Sequence, residues 1–95
     1  MNQYPNRRTD VSVRIVEGEL IVLDRHKGLI HQLNQTAGYV WERCDGRSTV
    51  ADIAKQLVKE FGVSLETAEA DTQRFVEQLH ALDLFINMSE KKGTP

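Results

Sequence analysis

The sequence predicts an α+β domain of winged-helix-like outline, a three-stranded antiparallel β meander followed by a three-helix bundle. Three observations lead there. Residues 11–33 consist of short apolar runs with strand-type periodicity, separated by turn residues. At Asn34 the apolar spacing changes to the threes and fours of a helix and stays so to Leu82. Finally, 95 residues with a single cysteine and 12 basic against 14 acidic side chains suit one small core without a disulfide framework.

Residues 1–10, "MNQYPNRRTD", are polar and aperiodic and read as a flexible N-terminal arm. The domain proper spans 11–87. Val11, Val13 and Ile15 alternate with Ser12 and Arg14, as in a half-buried strand. Glu17-Gly18-Glu19 turns the chain into "LIVLD" (20–24), and "RHKG" (25–28) turns it again into "LIHQL" (29–33). Turns this short make neighbouring strands antiparallel, with an edge at each end of the meander.

Asn34 is a good helix N-cap, and Ala37, Val40, Trp41 and Cys44 share one face of a helix running to Arg43 or Cys44. Asp45-Gly46 is its stop. The second helix starts from Ser48 or Thr49; with Thr49, Asp52 takes the capping-box position. Val50, Ile53, Ala54, Leu57, Val58 and Phe61 form its apolar face, and Gly62 closes it. Ser64 caps a third helix with the stripe Leu65, Ala68, Thr72, Phe75, Leu79 and Leu82, widened by Val76. "LFIN" (84–87) is a short strand or an apolar plug, and 88–95 a disordered tail.

Composition narrows the function. No apolar run approaches the ~20 residues of a membrane helix, and the N-terminus lacks a signal core, so a cytoplasmic protein without a membrane partner is expected. His26, His31 and His80 form no metal-ligand spacing with each other or with Cys44, so neither a metal nor a cofactor is expected. A phosphate loop, a nucleophile elbow and a matched pair of acids are all missing, which argues against an enzyme. Cys44 reads as a core residue, with a reactive thiol beside the charged turn as the alternative. Trp41 reads as core packing, with an anchor at a binding groove as the alternative.

A winged-helix DNA-binding regulator is the rival class, and charge opposes it. Glu66, Glu69, Asp71, Glu77 and Asp83 outnumber Arg74 on the third helix, and Lys55 and Lys59 on the second are too few to compensate. No nucleic-acid partner is expected. The run "LIHQL" has neither proline nor lysine to blunt an edge, so it can template an added strand. Alternatively the arm, the last strand or a second copy in a homodimer covers it.

The succession "LNQTAGYVWERCDGRSTVADIAKQLVKEFGV", followed by "AEADTQRFVEQLHALDLF", resembles the PqqD family. The residues that carry the likeness are Leu33, Asn34, Thr36, Ala37, Trp41, Asp45, Gly46, Thr49, Val50, Ile53, Leu57, Phe61 and Val63, continued by Ala68, Asp71, Phe75, Leu79 and Leu82. It covers about residues 8–86, and departs where the family commonly ends its last helix in Gly-Leu-Leu and this chain has Asp83-Leu84-Phe85.

The resemblance implies a non-catalytic peptide chaperone, or RiPP recognition element. Such a domain binds the leader of a ribosomally made precursor peptide and presents it to a modifying enzyme. In the namesake pathway, to pyrroloquinoline quinone, that enzyme is a radical SAM protein; lasso-peptide and other RiPP pathways are the alternative. It further implies that the leader pairs with Leu29, Ile30, His31, Gln32 and Leu33 and lies against Thr72, Phe75, Val76 and Leu79.

Overall fold

The computed structural model describes residues 4–86. In chain order the elements are β1 (Asn6–Arg7), β2 (Ser12–Val16), β3 (Glu19–Asp24), β4 (Leu29–Leu33), α1 (Gln35–Glu42), α2 (Val50–Phe61), α3 (Leu65–Ala81) and β5 (Phe85–Ile86). The sheet β2-β3-β4 is the expected antiparallel meander, with β2 and β4 as its edges. Glu17 and Gly18 both take positive φ, at 52° and 83°, in the two-residue turn that Val16 and Glu19 close. This backbone follows the right-handed twist of the strands, and glycine supplies the second position without strain.

Each helix starts where its cap chemistry places it. The Asn34 side chain accepts from the Ala37 amide at 2.8 Å, and the Ser64 hydroxyl accepts from Thr67 at 3.1 Å. At α2 the cap is Thr49, and Asp52 returns the bond to the Thr49 amide at 3.0 Å to complete the capping box. The departure at Asp83 has a simple geometry. Asp83 takes φ 60°, while its amide donates to His80 and that of Leu84 to Leu79, which is a Schellman stop. Asp83 stands where glycine is the usual residue, and its side chain is tied to Lys27. Leu65 and Leu82, at the two ends of the expected apolar stripe, are exposed because α3 outruns the core at both ends.

Leu20, Val22 and Leu33 from the sheet meet Val40, Trp41, Ile53, Leu57, Val76 and Leu79 from the helices in one buried cluster. Trp41 is core, its indole N–H donating to the Leu84 carbonyl at 3.1 Å. The Cys44 thiol donates to Val40 at 3.1 Å, and burial pushes it up to about 12, which removes the thiolate that a reactive cysteine needs. Val11, just before β2, and Ser12 at its start are half-buried, and the rest of the strand is exposed. Val13 and Ile15 stay exposed, because α1 packs over β3 and β4 and leaves this edge uncovered.

Two expectations need correction. Residues 4–10 are no free arm. Pro5 is buried, Asn6–Arg7 pairs with Phe85–Ile86, and the Arg8 amide donates to Leu84 at 3.1 Å. "LF" is therefore both plug and strand: Leu84 and Phe85 are buried, and Phe85 pairs. Nor is Gly46 the stop of α1, which caps earlier at Arg43. Instead Gly46, at φ 81°, donates to the Pro5 carbonyl at 2.9 Å, and a Cβ there would lie 3.0 Å from the Asn6 side chain. The glycine is a docking point for the N-terminal segment. Residues 1–3, Asn87 and the expected tail at 88–95 lie outside the described residues.

Candidate functional site

Alternation along a strand decides what β4 offers to each side. Leu29, His31 and Leu33 pair with Asp24, Val22 and Leu20, the buried residues of β3, and so share its helix-facing side. Ile30 and Gln32 lie with Leu23 and Ile21 on the opposite face. Leu33 is buried, His31 half-buried, and Leu29, Ile30 and Gln32 are exposed, Ile30 at 70%. Gln32 is held to Glu19. Among the described residues no strand lies beyond β4. Half of its backbone amides and carbonyls point away from β3, as at any sheet edge.

The α3 residues implied by the resemblance are of another kind. Thr72, Phe75, Val76 and Leu79 are all buried, pointing into the core, with Phe75 the most accessible at 9%. The strand therefore presents open surface, while the helix presents residues already engaged in packing. A pair of atoms stands apart from that packing. Among the described residues, the buried side-chain polar atoms without a hydrogen-bond partner are His31 Nε2 and Thr72 Oγ1. One belongs to each of the two elements singled out from the sequence.

At the start of the β3–β4 turn the Asp24 carboxylate and the Arg8 guanidinium are fully engaged. Arg8 donates to Asp24 at 2.7 Å, to Asp10 at 2.9 and 3.0 Å and to the Asp83 carbonyl at 3.2 Å. The Asp24 carboxylate also accepts from the amides of His26 and Lys27, at 3.1 and 3.3 Å. The Arg8 guanidinium holds Asp24 below the usual carboxylate range, against the opposing effect of desolvation and with help from those amides. Asp10 is lowered by the same guanidinium and Asp83 by Lys27. This cluster ties the N-terminal segment, the turn that leads into β4 and the end of α3 into one corner.

That corner was missed in the sequence, although one signal was there. Asp24 continues the parity of Leu20 and Val22 and must therefore face inward, where a carboxylate requires a partner. The partner, Arg8, lay in the segment read as a flexible arm.

Two surface hollows, of about 140 and 380 Å³, flank α1 beneath β2 and include none of the sequence-predicted site residues. On the outer side of α3, Glu66, Glu69 and Glu77 are exposed, while Arg74 is paired with Asp71 at 3.2 Å. A helix of that charge would be repelled by phosphate in a DNA groove. Among the described residues no group of three histidine, cysteine or acidic side chains is arranged to hold a metal ion, and no helix is long and apolar enough to cross a membrane.

Among solved structures, the chain is similar to one described as lasso peptide synthetase B1 complexed with the leader peptide. The two are 27% identical over 88% of this chain and 99% of that one, with a TM-score of 0.74. A second, TbiB1 in complex with the TbiA(beta) leader peptide, has a TM-score of 0.75 at 18% identity, over 90% of this chain and 99% of that one. No curated protein sequence matches. The family described as Coenzyme PQQ synthesis protein D (PqqD) matches residues 19–84, from the first residue of β3 to the Schellman stop after α3. The chain therefore belongs to the PqqD family.

Proposed function

We propose that this chain binds the leader of a ribosomally made precursor peptide as an added strand on β4 and presents it to a modifying enzyme. The observation that carries the reading is β4 itself, an edge with no neighbouring strand beyond it among the described residues and with Leu29, Ile30 and Gln32 exposed, in a PqqD-family domain. Both similar structures are described as complexes with leader peptides, which supports a leader peptide as the ligand here. Backbone pairing supplies affinity that tolerates sequence change, and the side chains facing the helices supply the selection. The chain acts by holding the peptide in register and raising its concentration at the enzyme, without a catalytic residue of its own. A radical SAM enzyme on the route to pyrroloquinoline quinone is the partner we favour; a lasso-type maturation enzyme is the alternative.

The test is an amide-resolved titration with synthetic precursor leader peptides of the two candidate pathways. Shifts should centre on residues 28–34 and 68–80, and shifts confined elsewhere would overturn the assignment. Ile30→Pro and His31→Pro refine it. Successive strand amides alternate between the neighbouring strand and the open edge. One of the two prolines therefore removes an edge donor and abolishes binding in a folded chain, while the other breaks the ladder to β3.

A further inference from the structure

Natural sheets blunt an unpaired edge with a charge, a proline or a covering segment, because bare apolar side chains there invite another strand. β2 is bare in this sense. It is the edge of the sheet opposite to β4, and among the described residues it pairs only with β3. Val13 and Ile15 oppose Val22 and Leu20, the buried residues of β3, and so face the helices, yet both are exposed, Ile15 at 70%. Arg14, the one charged residue of the strand, belongs to the other face with Ile21. Beneath the bare side chains the surface is concave. The hollow of about 140 Å³ opens at the Ile15 end, and that of about 380 Å³ at the Val11–Val13 end.

The smaller hollow has a definite chemistry. Tyr39 and Phe61, edge to face at 5.3 Å, form apolar walls with Ile15 and Leu20, and Glu42 and Glu60 add two carboxylates. No basic side chain lines it. Its volume is below the roughly 300 Å³ at which small-molecule pockets begin, and suits a single side chain. Lysine and arginine match such a lining, with an apolar stem for the walls and a cation for the carboxylates. Arg43 comes within 3.9 Å of Glu42, while among the described residues no basic side chain is bridged to Glu60. A second copy of this chain laid on the edge would turn Val11, Val13 and Ile15 inward and bring no cation to the hollow.

Resting on the leader-binding reading, we propose that β2 is the docking edge for the modifying enzyme. It takes an extended segment of that enzyme as a further strand, with a lysine or arginine entering the Glu42–Glu60 hollow and apolar residues inward over Val11 and Val13. Adjacent strands lie about 4.8 Å apart, so β2 and β4 are separated by roughly 10 Å and can both be occupied. Enzyme and leader then become parts of one sheet, which fixes the direction of the peptide relative to the enzyme.

Hydrogen exchange read by mass spectrometry tests this, with the leader-loaded chain and the purified modifying enzyme of each candidate pathway. The enzyme that binds should protect residues 11–16 and leave the leader in place, and its own protected segment should contain a lysine or arginine. Glu42→Lys combined with Glu60→Lys should weaken the enzyme roughly 10-fold at low salt. Leader affinity should stay unchanged, which also reports that the variant folds. Ile15→Lys, at an exposed position, is the second variant and should act alike by bringing its own cation to the hollow. Protection confined elsewhere, a protected enzyme segment without a basic residue, displacement of the leader, or binding of neither enzyme would overturn the inference and leave leader binding standing. So would self-association through β2, seen in sedimentation as a dimer that Ile15→Lys abolishes. A chain that binds no leader would remove both.

Discussion

Buried polar side chains occur in two different states in this domain. Around Asp24, every carboxylate oxygen and guanidinium nitrogen is engaged: Arg8, Asp10, two turn amides and a carbonyl of the α3 corner close a complete set. At His31 Nε2 on β4 and at Thr72 Oγ1 on α3, by contrast, a polar atom is buried without a hydrogen-bond partner among the described residues. The first cluster contributes to the fold, since a satisfied buried charge holds three segments in one arrangement. The unpartnered atoms instead cost the free chain stability. Polar burial thus has two meanings in one small domain, told apart by whether the bonds are made.

Breaking the satisfied cluster should have the largest effect. Arg8→Met leaves the Asp24 carboxylate, 1% exposed, without its cation. We expect the midpoint of thermal unfolding to fall by at least about 10 °C, measured by circular dichroism. A fall of only a degree or two would mean that the corner is decoration. The same variant changes the acid response. Asp24 is held below its unfolded value, so its contribution is present at neutral pH and is lost as pH falls below roughly 4. Asp10, Asp45, Asp52 and Asp83 are lowered too and act in the same window. Wild-type stability should therefore decline on acidification, and the decline should be shallower in Arg8→Met, as urea midpoints between pH 3 and 6 would show.

Removing the unpartnered Thr72 hydroxyl should have a smaller effect of opposite sign. Thr72→Val removes a buried hydroxyl without changing the shape of the side chain. It should raise the thermal midpoint by a few degrees, worth about 1 kcal/mol. A destabilised Thr72→Val would mean that the hydroxyl has a partner in solution. The smallest effect concerns chemistry rather than stability. With its thiol pushed up to about 12, folded Cys44 should resist iodoacetamide at pH 8 and react once the chain is unfolded in urea, as mass spectrometry would report.

How far the fold could be read in advance follows from which signals are local. The caps at Asn34, Thr49 and Ser64, the turn at Glu17-Gly18 and the left-handed stop at Gly62 are all written within a few residues of where they act. The N-terminal segment was misread because its partners are distant. Pro5 meets Gly46, Arg7 meets Phe85, and Arg8 meets Asp24, and polar composition gives no hint of such pairings. At the candidate site the edge strand was legible as an unblunted apolar run. The state of His31 Nε2 and Thr72 Oγ1 was not, because a hydrogen bond left unmade has no sequence pattern.

The sequence by itself determined the order of strands and helices, the places where each begins, and the absence of lysine and proline from "LIHQL". These depend on periodicity and on short-range backbone chemistry. Tertiary structure alone decided that β4 is an edge among the described residues, that Asp83 serves where glycine is usual, and that residues 4–10 close the domain instead of trailing from it. It also decided that His31 Nε2 and Thr72 Oγ1 are buried without partners among the described residues. Each of these depends on which surfaces meet after the chain has folded, and so on contacts between residues far apart along it.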